Sequence, residues 1–299
     1  MFEVADSLNY TKYKKKVQAT AGTISVIQWY TREQEINDLY YLSIRWGVEK
    51  RLRENNYEIQ NVFSYDEFDY NKKIDGIIAI GKYSSSQISN LKSLHIPLVV
   101  VDSDTMRYEI SCVITDFDSS VFKTVSHFIS NGHKRIGMIA GQEKTTDNEN
   151  ICDERELSFK KYMSINKLLN PEYIFKGPFN IDSGYDLMNK AIKKLGRNLP
   201  TAFFVASDEL AVGAIRALEE QHISVPDRVS IIGFNGSAID QYLSPSLSTI
   251  DVDKKEMGAD AVDLLLKLKN KKLKHPVKLT IGTKLLLRES SNSLKNEGY

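Results

Sequence analysis

The sequence predicts an α/β fold with two parallel sheets, each covered by helices. Three observations carry this. Short, wholly apolar runs such as "GIIAIG" (76–81) and "IGMIAG" (136–141) have the composition of strands buried on both faces. Between such runs lie stretches whose apolar residues recur at helical spacing. The alternation covers nearly all of the 299 residues, which is too many strands for one sheet and enough chain for two domains.

In order, "TISVIQWY" (23–30) is a β-rich strand. "NDLYYLSIRWGVEKRLRENN" (37–56) is a helix, with Leu39, Leu42, Trp46 and Leu52 expected near its inward face. "YEIQNVFS" and "DGIIAIG" are strands, "SSSQISNLKSL" is a helix opened by serine caps, and "IPLVVVDSD" and "SCVITDFD" are strands ending in aspartates. The pattern then restarts. "SSVFKTVSHFISNGHKR" is a helix with Val121, Val125, Phe128 and Ile129 inward, stopped at "NGH". "IGMIAG", "YIFKGPFN", "TAFFVASD", "VSIIGFN" and "LSTIDVD" read as strands. The helices among them are "ERELSFKKYMSINKL", "SGYDLMNKAIKKL" and "ELAVGAIRALEEQHI", the last burying Ala211, Ala214, Ile215 and Leu218. "KKEMGADAVDLLLKLKN" is a helix with Met257, Ala261, Leu264, Leu265 and Leu268 on one face, and the last segment, "VKLTIGTKLLLRES", reads as strand. The boundary between the sheets falls near residue 117, with no Gly/Ser/Pro linker. The halves are therefore expected to lie close and to be joined by more than one crossing.

Composition narrows the function. With 41% hydrophobic and 26% charged residues and a formal net charge of +1, no global field points to nucleic acid or membrane. Cys112 and Cys152 are too few for a disulfide framework and belong to no CxxC or Cys/His cluster, so a reducing cytoplasm fits best. No apolar signal core opens the chain and no window reaches the length of a bilayer span. There is no GxGxxG after a strand, no GxxxxGK[ST], no GxSxG and no HExxH, so neither an enzyme nor a cofactor or metal is expected.

Polar residues gather where strands end: Gln28, Trp29 and Tyr30; Asp102 and Asp104; Asp116 and Asp118; Ser207 and Asp208 in "VASDELAVGA"; Asn235 in "GFNG". Ligands of open α/β sheets bind at those ends, and two sheets facing one another there would share a cleft. Carboxylate and amide oxygens accept hydroxyl protons, an aromatic face covers the C–H side of a sugar ring, and the guanidinium of Arg155 can hold two adjacent hydroxyls. Singly, each has an ordinary explanation. Asp116, Asp118 and the Ser207–Asp208 pair can be helix caps, Trp29 can be core, and Arg155 can be a surface ion pair. As a set, they point to a neutral polyol in a cleft.

The segments "HFISNGHKRIGMIAG", "ERELSFKKYM", "TAFFVASDELAVGAIRALEEQHISVPDRVSIIGFNGSAIDQYLSPSLSTIDVDKKEMGADAV" and "LLLRES" come in the order and spacing of the lac repressor/galactose repressor family, and the chain resembles that family over nearly its whole length. "QWYTREQEINDLYYLSIRWGVE" is similar to the galactose- and galactoside-responsive branch. The resemblance implies two Rossmann-like subdomains of the periplasmic-binding-protein type I kind, joined by three crossings, with a sugar effector between them. It also implies a homodimer whose closure controls operator DNA binding. It matches Arg155 to the sugar-clamping arginine, Asn235 to the carboxylate of the usual "GFD", Ser207 to a frequent asparagine and Phe179 to an aromatic ring wall. Asp116 and Asp118 fall in a crossover that contributes an acidic contact. Asp208 becomes a structural cap, and the residue before it faces the sugar. Trp29 and Tyr30 complete the expected effector set. Replacing Arg155 is expected to weaken the sugar and leave stability little changed.

The expected boundaries are 19–116 with 247–270 for the N-terminal subdomain and 117–246 with 271–299 for the C-terminal one. Residues 1–18 are expected to be the remnant of a DNA-binding headpiece and linker. The helix-turn-helix headpiece of the family is not found in this chain, and specific operator binding by the chain as given is not expected. Lys12, Lys14, Lys15 and Lys16 are candidates for phosphate contacts in the linker. An alternative reading is a sugar-binding protein of the same fold with no DNA role.

Overall fold

The computed structural model describes residues 20–292 except Asp38. It contains two six-stranded sheets. The first is built from β1 (Thr23–Gln28), β2 (Glu58–Phe63), β3 (Gly76–Ile80), β4 (Leu98–Val101), β5 (Ser111–Thr115) and β11 (Lys278–Ile281). Their order is β11-β5-β4-β3-β1-β2, with every pair parallel. The second is built from β6 (Ile136–Gly141), β7 (Ile174–Gly177), β8 (Ala202–Val205), β9 (Ser230–Asn235), β10 (Ser248–Asp251) and β12 (Lys284–Leu286). It repeats the plan as β12-β10-β9-β8-β6-β7, parallel except for the antiparallel edge pair β10–β12.

The helices are α1 (Arg32–Asn37), α2 (Leu39–Glu54), α3 (Ser85–Lys92), α4 (Phe117–Ser130), α5 (Glu154–Ile165), α6 (Ile181–Leu195), α7 (Asp208–Glu220) and α8 (Lys254–Lys269). Central strands such as β3 and β8 are buried at every residue, as helices on both faces of a parallel sheet require. Strand order reverses between β1 and β3 in the first sheet and between β6 and β8 in the second. Those are the points where neighbouring loops diverge and leave a crevice.

The chain passes between the halves three times: at Asp116 from β5 into α4, after β10 into α8, and between β11 and β12. Two boundary expectations are corrected by this. β10 pairs with β9 and so belongs to the second half, although its residues were assigned with α8 to the first. The final segment, 271–299, is expected in the second half, but it forms two strands that divide between the sheets, β11 beside β5 in the first and β12 beside β10 in the second. Apolar periodicity records burial but not which sheet a strand joins. α8 does return to the first half, where it packs on α2.

The phase of α2 also differs from expectation. Its buried row is Tyr40, Tyr41, Ile44, Val48 and Leu52, whereas Leu39 and Trp46 are 60% and 51% exposed. The sequence offers two apolar rows on this helix, and packing against α8 and the sheet selects the tyrosine row. Among the described residues, no helix is long and apolar enough to cross a membrane. Lys12, Lys14, Lys15 and Lys16 lie outside the described residues.

Candidate functional site

The C-terminal strand ends of the two sheets face one another across a cavity. The first half supplies Tyr40 and Tyr41 from α2, Lys82 just after β3 and Asp102 just after β4. The Asp102 carboxylate organises this wall. It accepts from the Tyr40 hydroxyl at 3.0 Å and the Tyr41 hydroxyl at 2.8 Å, and pairs with Lys82 Nζ at 2.8 Å. The Lys82 ammonium also reaches the Asp102 carbonyl. The backbone of Asp102 is left-handed (φ 69°), a conformation that Asp tolerates better than most residues. Burial, reinforced by the negative charge of Asp102, pushes both tyrosine hydroxyls well above their ordinary range, so they act as neutral donors.

The second wall is built around Arg155, the second residue of α5. Asp153 caps that helix through the Arg155 N–H and also accepts from Arg155 Nε at 2.8 Å. Arg155 Nη1 donates to the Ala206 carbonyl at 2.8 Å. The guanidinium lies 4.7 Å from the ring centre of Phe179, 5.4 Å from Phe234 and 5.5 Å from Phe117. Burial opposes its charge, but Asp153, Glu143 and Asp102 outweigh that and hold it above its usual value. Phe179 can approach because β6 ends in Gly141, where a Cβ would overlap its ring. Ser207 caps α7, its hydroxyl oxygen accepting from Leu210 N at 3.3 Å while its proton stays available to a ligand. Asn235 ends β9 at φ 114° and lines the cavity, and its side-chain amide makes no hydrogen bond to the described residues.

A strap, residues 142–153, runs from β6 to α5 and touches both halves. From it, Glu143 Oε1 accepts from the Tyr30 hydroxyl at 3.0 Å, Thr146 Oγ1 from Gln87 Nε2 at 2.6 Å and Asp147 Oδ2 from Ser86 Oγ at 3.3 Å. Tyr30, Ser86 and Gln87 all belong to the first half. Burial raises the Glu143 carboxyl, although Lys82, Arg155 and Tyr30 pull it the other way.

Of the eight expected effector residues, the structure gathers Arg155, Phe179, Ser207 and Asn235 at this cavity. Trp29 is buried beside it, stacked on Tyr30 at 4.5 Å and lying over Gly81, whose φ of 113° and missing side chain make room for the indole. Tyr30 reaches across to Glu143. Asp116 is the N-cap of α4, accepting from Ser119 N at 3.0 Å. Asp118 is exposed, paired with Lys161 and accepting from Tyr162 at 2.6 Å and from Ser158 at 2.9 Å, and with Asp116 it lines a neighbouring cavity that shares Lys82, Asp102 and Phe117 with the first. The Ser207–Asp208 pair divides its work differently from expectation. Ser207 is both cap and cavity wall, while Asp208 is buried in the first turn of α7 and accepts from Ser237 N at 2.8 Å and Thr249 Oγ1 at 2.6 Å.

Sequence reasoning did not place Tyr40, Tyr41, Lys82, Phe117, Glu143 or Glu209 at the site. Lys82 and Glu143 nevertheless follow β3 and β6, the strands flanking the two reversals of order, and the strand-end argument applied to those strands finds both.

The chain matches a family model described as a periplasmic binding protein-like domain over residues 125–291. It is 40% identical over 291 residues to the HTH-type transcriptional regulator GalR of Streptococcus thermophilus, covering 96% of this chain and 88% of that one. It is 35% identical over 296 residues to the HTH-type transcriptional regulator GanR of Bacillus subtilis (strain 168), covering 98% and 89%. A solved complex of the transcriptional regulator CelR with cellobiose superposes with a TM-score of 0.80 at 20% identity, covering 95% of this chain and 89% of that one, a likeness of fold. Two equivalent sheets closing on a cleft, together with these relatives, establish that the chain belongs to the lac repressor/galactose repressor family of transcriptional regulators.

Proposed function

We propose that this chain is the effector-binding core of a sugar-responsive repressor, and that its effector is a galactose-type sugar held between the halves. The observation that carries this is Arg155: a guanidinium caged by three phenylalanines, aimed into a cavity that Asn235 and Ser207 also line. Arg155 and Asn235 grip ring hydroxyls, Ser207 meets a further hydroxyl directly or through a water, and Phe179 covers the ring's apolar face. Tyr40 and Tyr41 offer neutral hydroxyls from the opposite wall. Closing on the sugar changes operator DNA binding through the headpiece that such regulators carry, in a cytoplasmic homodimer. Exposed Leu39 and Trp46 on the outer face of α2 support the dimer.

The test is a thermal-shift panel with galactose, a β-galactoside and an α-galactoside, followed by operator binding with and without the hit. A sugar present at a hundred times its Kd adds about 2.7 kcal/mol to folding stability, a shift of several degrees at about 2–4 °C per kcal/mol. If every sugar in the panel leaves the transition where it was, the reading fails.

A further inference from the structure

The charges around the cavity carry information about the ligand that family membership does not. Its walls hold three carboxylates, Asp102, Glu143 and Glu209, against two cations, Lys82 and Arg155. Both cations are already engaged: Lys82 with Asp102 at 2.8 Å, and Arg155 with Asp153 at 2.8 Å and the Ala206 carbonyl. Glu143 accepts from a neutral tyrosine, and the Glu209 carboxylate makes no hydrogen bond or ion pair with the described residues.

Helix N-termini elsewhere attract phosphates, through free N–H groups and the helix dipole. Three helices begin at this cleft, and the protein's own side chains cap each of them. Asp116 caps α4, Asp153 caps α5 and Ser207 caps α7, whose first turn also contains Asp208 and Glu209. An incoming anion would meet helix starts that already carry a capping oxygen, two of them carboxylates, and cations that are already engaged, and it would approach two further carboxylates.

We propose that the cleft selects a neutral sugar and rejects its phosphorylated or carboxylated counterpart, with Glu143 and Glu209 as the residues that enforce the choice. The inference rests on the reading of the cleft as a sugar site and adds a charge class to it. A like charge brought beside a buried or half-buried carboxylate costs several kcal/mol, which sets the scale of discrimination at about 100-fold or more at ~1.4 kcal/mol per decade.

Calorimetry of the wild type against matched ligands tests it: galactose and lactose as neutral sugars, galacturonate, galactose 1-phosphate and galactose 6-phosphate as anionic ones. The neutral sugar should bind at least about 100-fold more tightly than the anionic form of the same sugar. Glu143→Gln should narrow that ratio roughly tenfold, and Glu209→Gln should narrow it independently, by an amount on the order of one decade. Glu172→Gln makes the same change of net charge on the outer surface, where Glu172 pairs with Lys194, and should leave the ratio unchanged. An anionic sugar that binds as tightly as its neutral parent overturns the inference while leaving the sugar site intact. So does a ratio that neither glutamine variant moves. If no member of the set binds, the sugar reading itself fails, and the charge selection falls with it.

Discussion

The two walls of the cleft reach similar polar surfaces by different routes. On the first wall, one buried carboxylate, Asp102, holds two tyrosines and a lysine in place, so the wall is a network of side chains bonded to each other. On the second, Arg155, Ser207 and Asn235 each sit at a strand end or helix start, and their backbone positions fix them individually. A network fails together when its centre is removed, whereas independently placed residues fail one at a time.

Asp102→Ala is the sharpest way to break that contrast. It removes the carboxylate that pairs with the largely buried Lys82 and accepts from two tyrosine hydroxyls, and one-sided loss of a buried ion pair costs about 3 kcal/mol or more. Urea unfolding should show a loss of that size. A loss no larger than that of a surface substitution would mean the first wall is not a network.

Behind the second wall, Asp208 and Asp240 share a buried site, and the Asp240 carboxylate oxygens have no hydrogen-bond donor among the described residues. Burial raises both, Asp208 with the added repulsion of Asp240, and Asp240 is pushed up to about 6. A carboxyl raised above its unfolded value of about 3.9 binds its proton more tightly in the fold. Its stabilising contribution is therefore complete below about pH 4 and is lost as pH climbs through about 6, to the extent of about 2–3 kcal/mol. Unfolding followed from pH 4 to 7.5 should show this decline, and Asp240→Asn should flatten it. An unchanged profile in the variant would assign the slope to other groups.

Tyr30→Phe removes the bond from the first half to Glu143 on the strap. A single net hydrogen bond of about 1 kcal/mol amounts to roughly fivefold in sugar affinity if the closed form needs it. Titration of the variant measures this, and unchanged affinity would confine the bond to the free protein. The smallest effect is expected at Asp118, exposed and screened in its pair with Lys161. Asp118→Ala should change sugar affinity by less than about twofold, and a tenfold loss would bring that crossover into the site after all.

The same contrast explains what the sequence disclosed. Residues of the second wall stand at recognisable joints: Ser207 between an apolar strand and an apolar-faced helix, Asn235 at the end of "IIGFN", Arg155 at the start of "RELSF". The two-sheet architecture was legible for the same reason, since buried strands and helix caps leave local signals. Tyr40 and Tyr41 were hidden because α2 carries two plausible apolar rows, and only packing decides between them. Asp116 and Asp118 line the neighbouring cavity and not the one around Arg155, because one is turned into a helix cap and the other is held by Lys161, which is a matter of side-chain direction rather than spacing. The allocation of β10, β11 and β12 depended on tertiary pairing that no local pattern encodes.

The central claim is that a sugar is gripped at Arg155 between the halves. Once the panel has identified the sugar, calorimetry on the wild type and on Arg155→Ala tests the claim directly. Charge-assisted hydrogen bonds to hydroxyls contribute about 1.5–3 kcal/mol, so the account predicts a loss of roughly tenfold to a hundredfold in affinity. The sequence-based expectation that stability would hold is revised here. The side chain is only 14% exposed and caged by three rings, so the variant should also melt a few degrees lower, in line with about 1–2 kcal/mol of lost packing and cation–π contact. A folded Arg155→Ala protein that binds the sugar as tightly as the wild type would contradict the placement of the site.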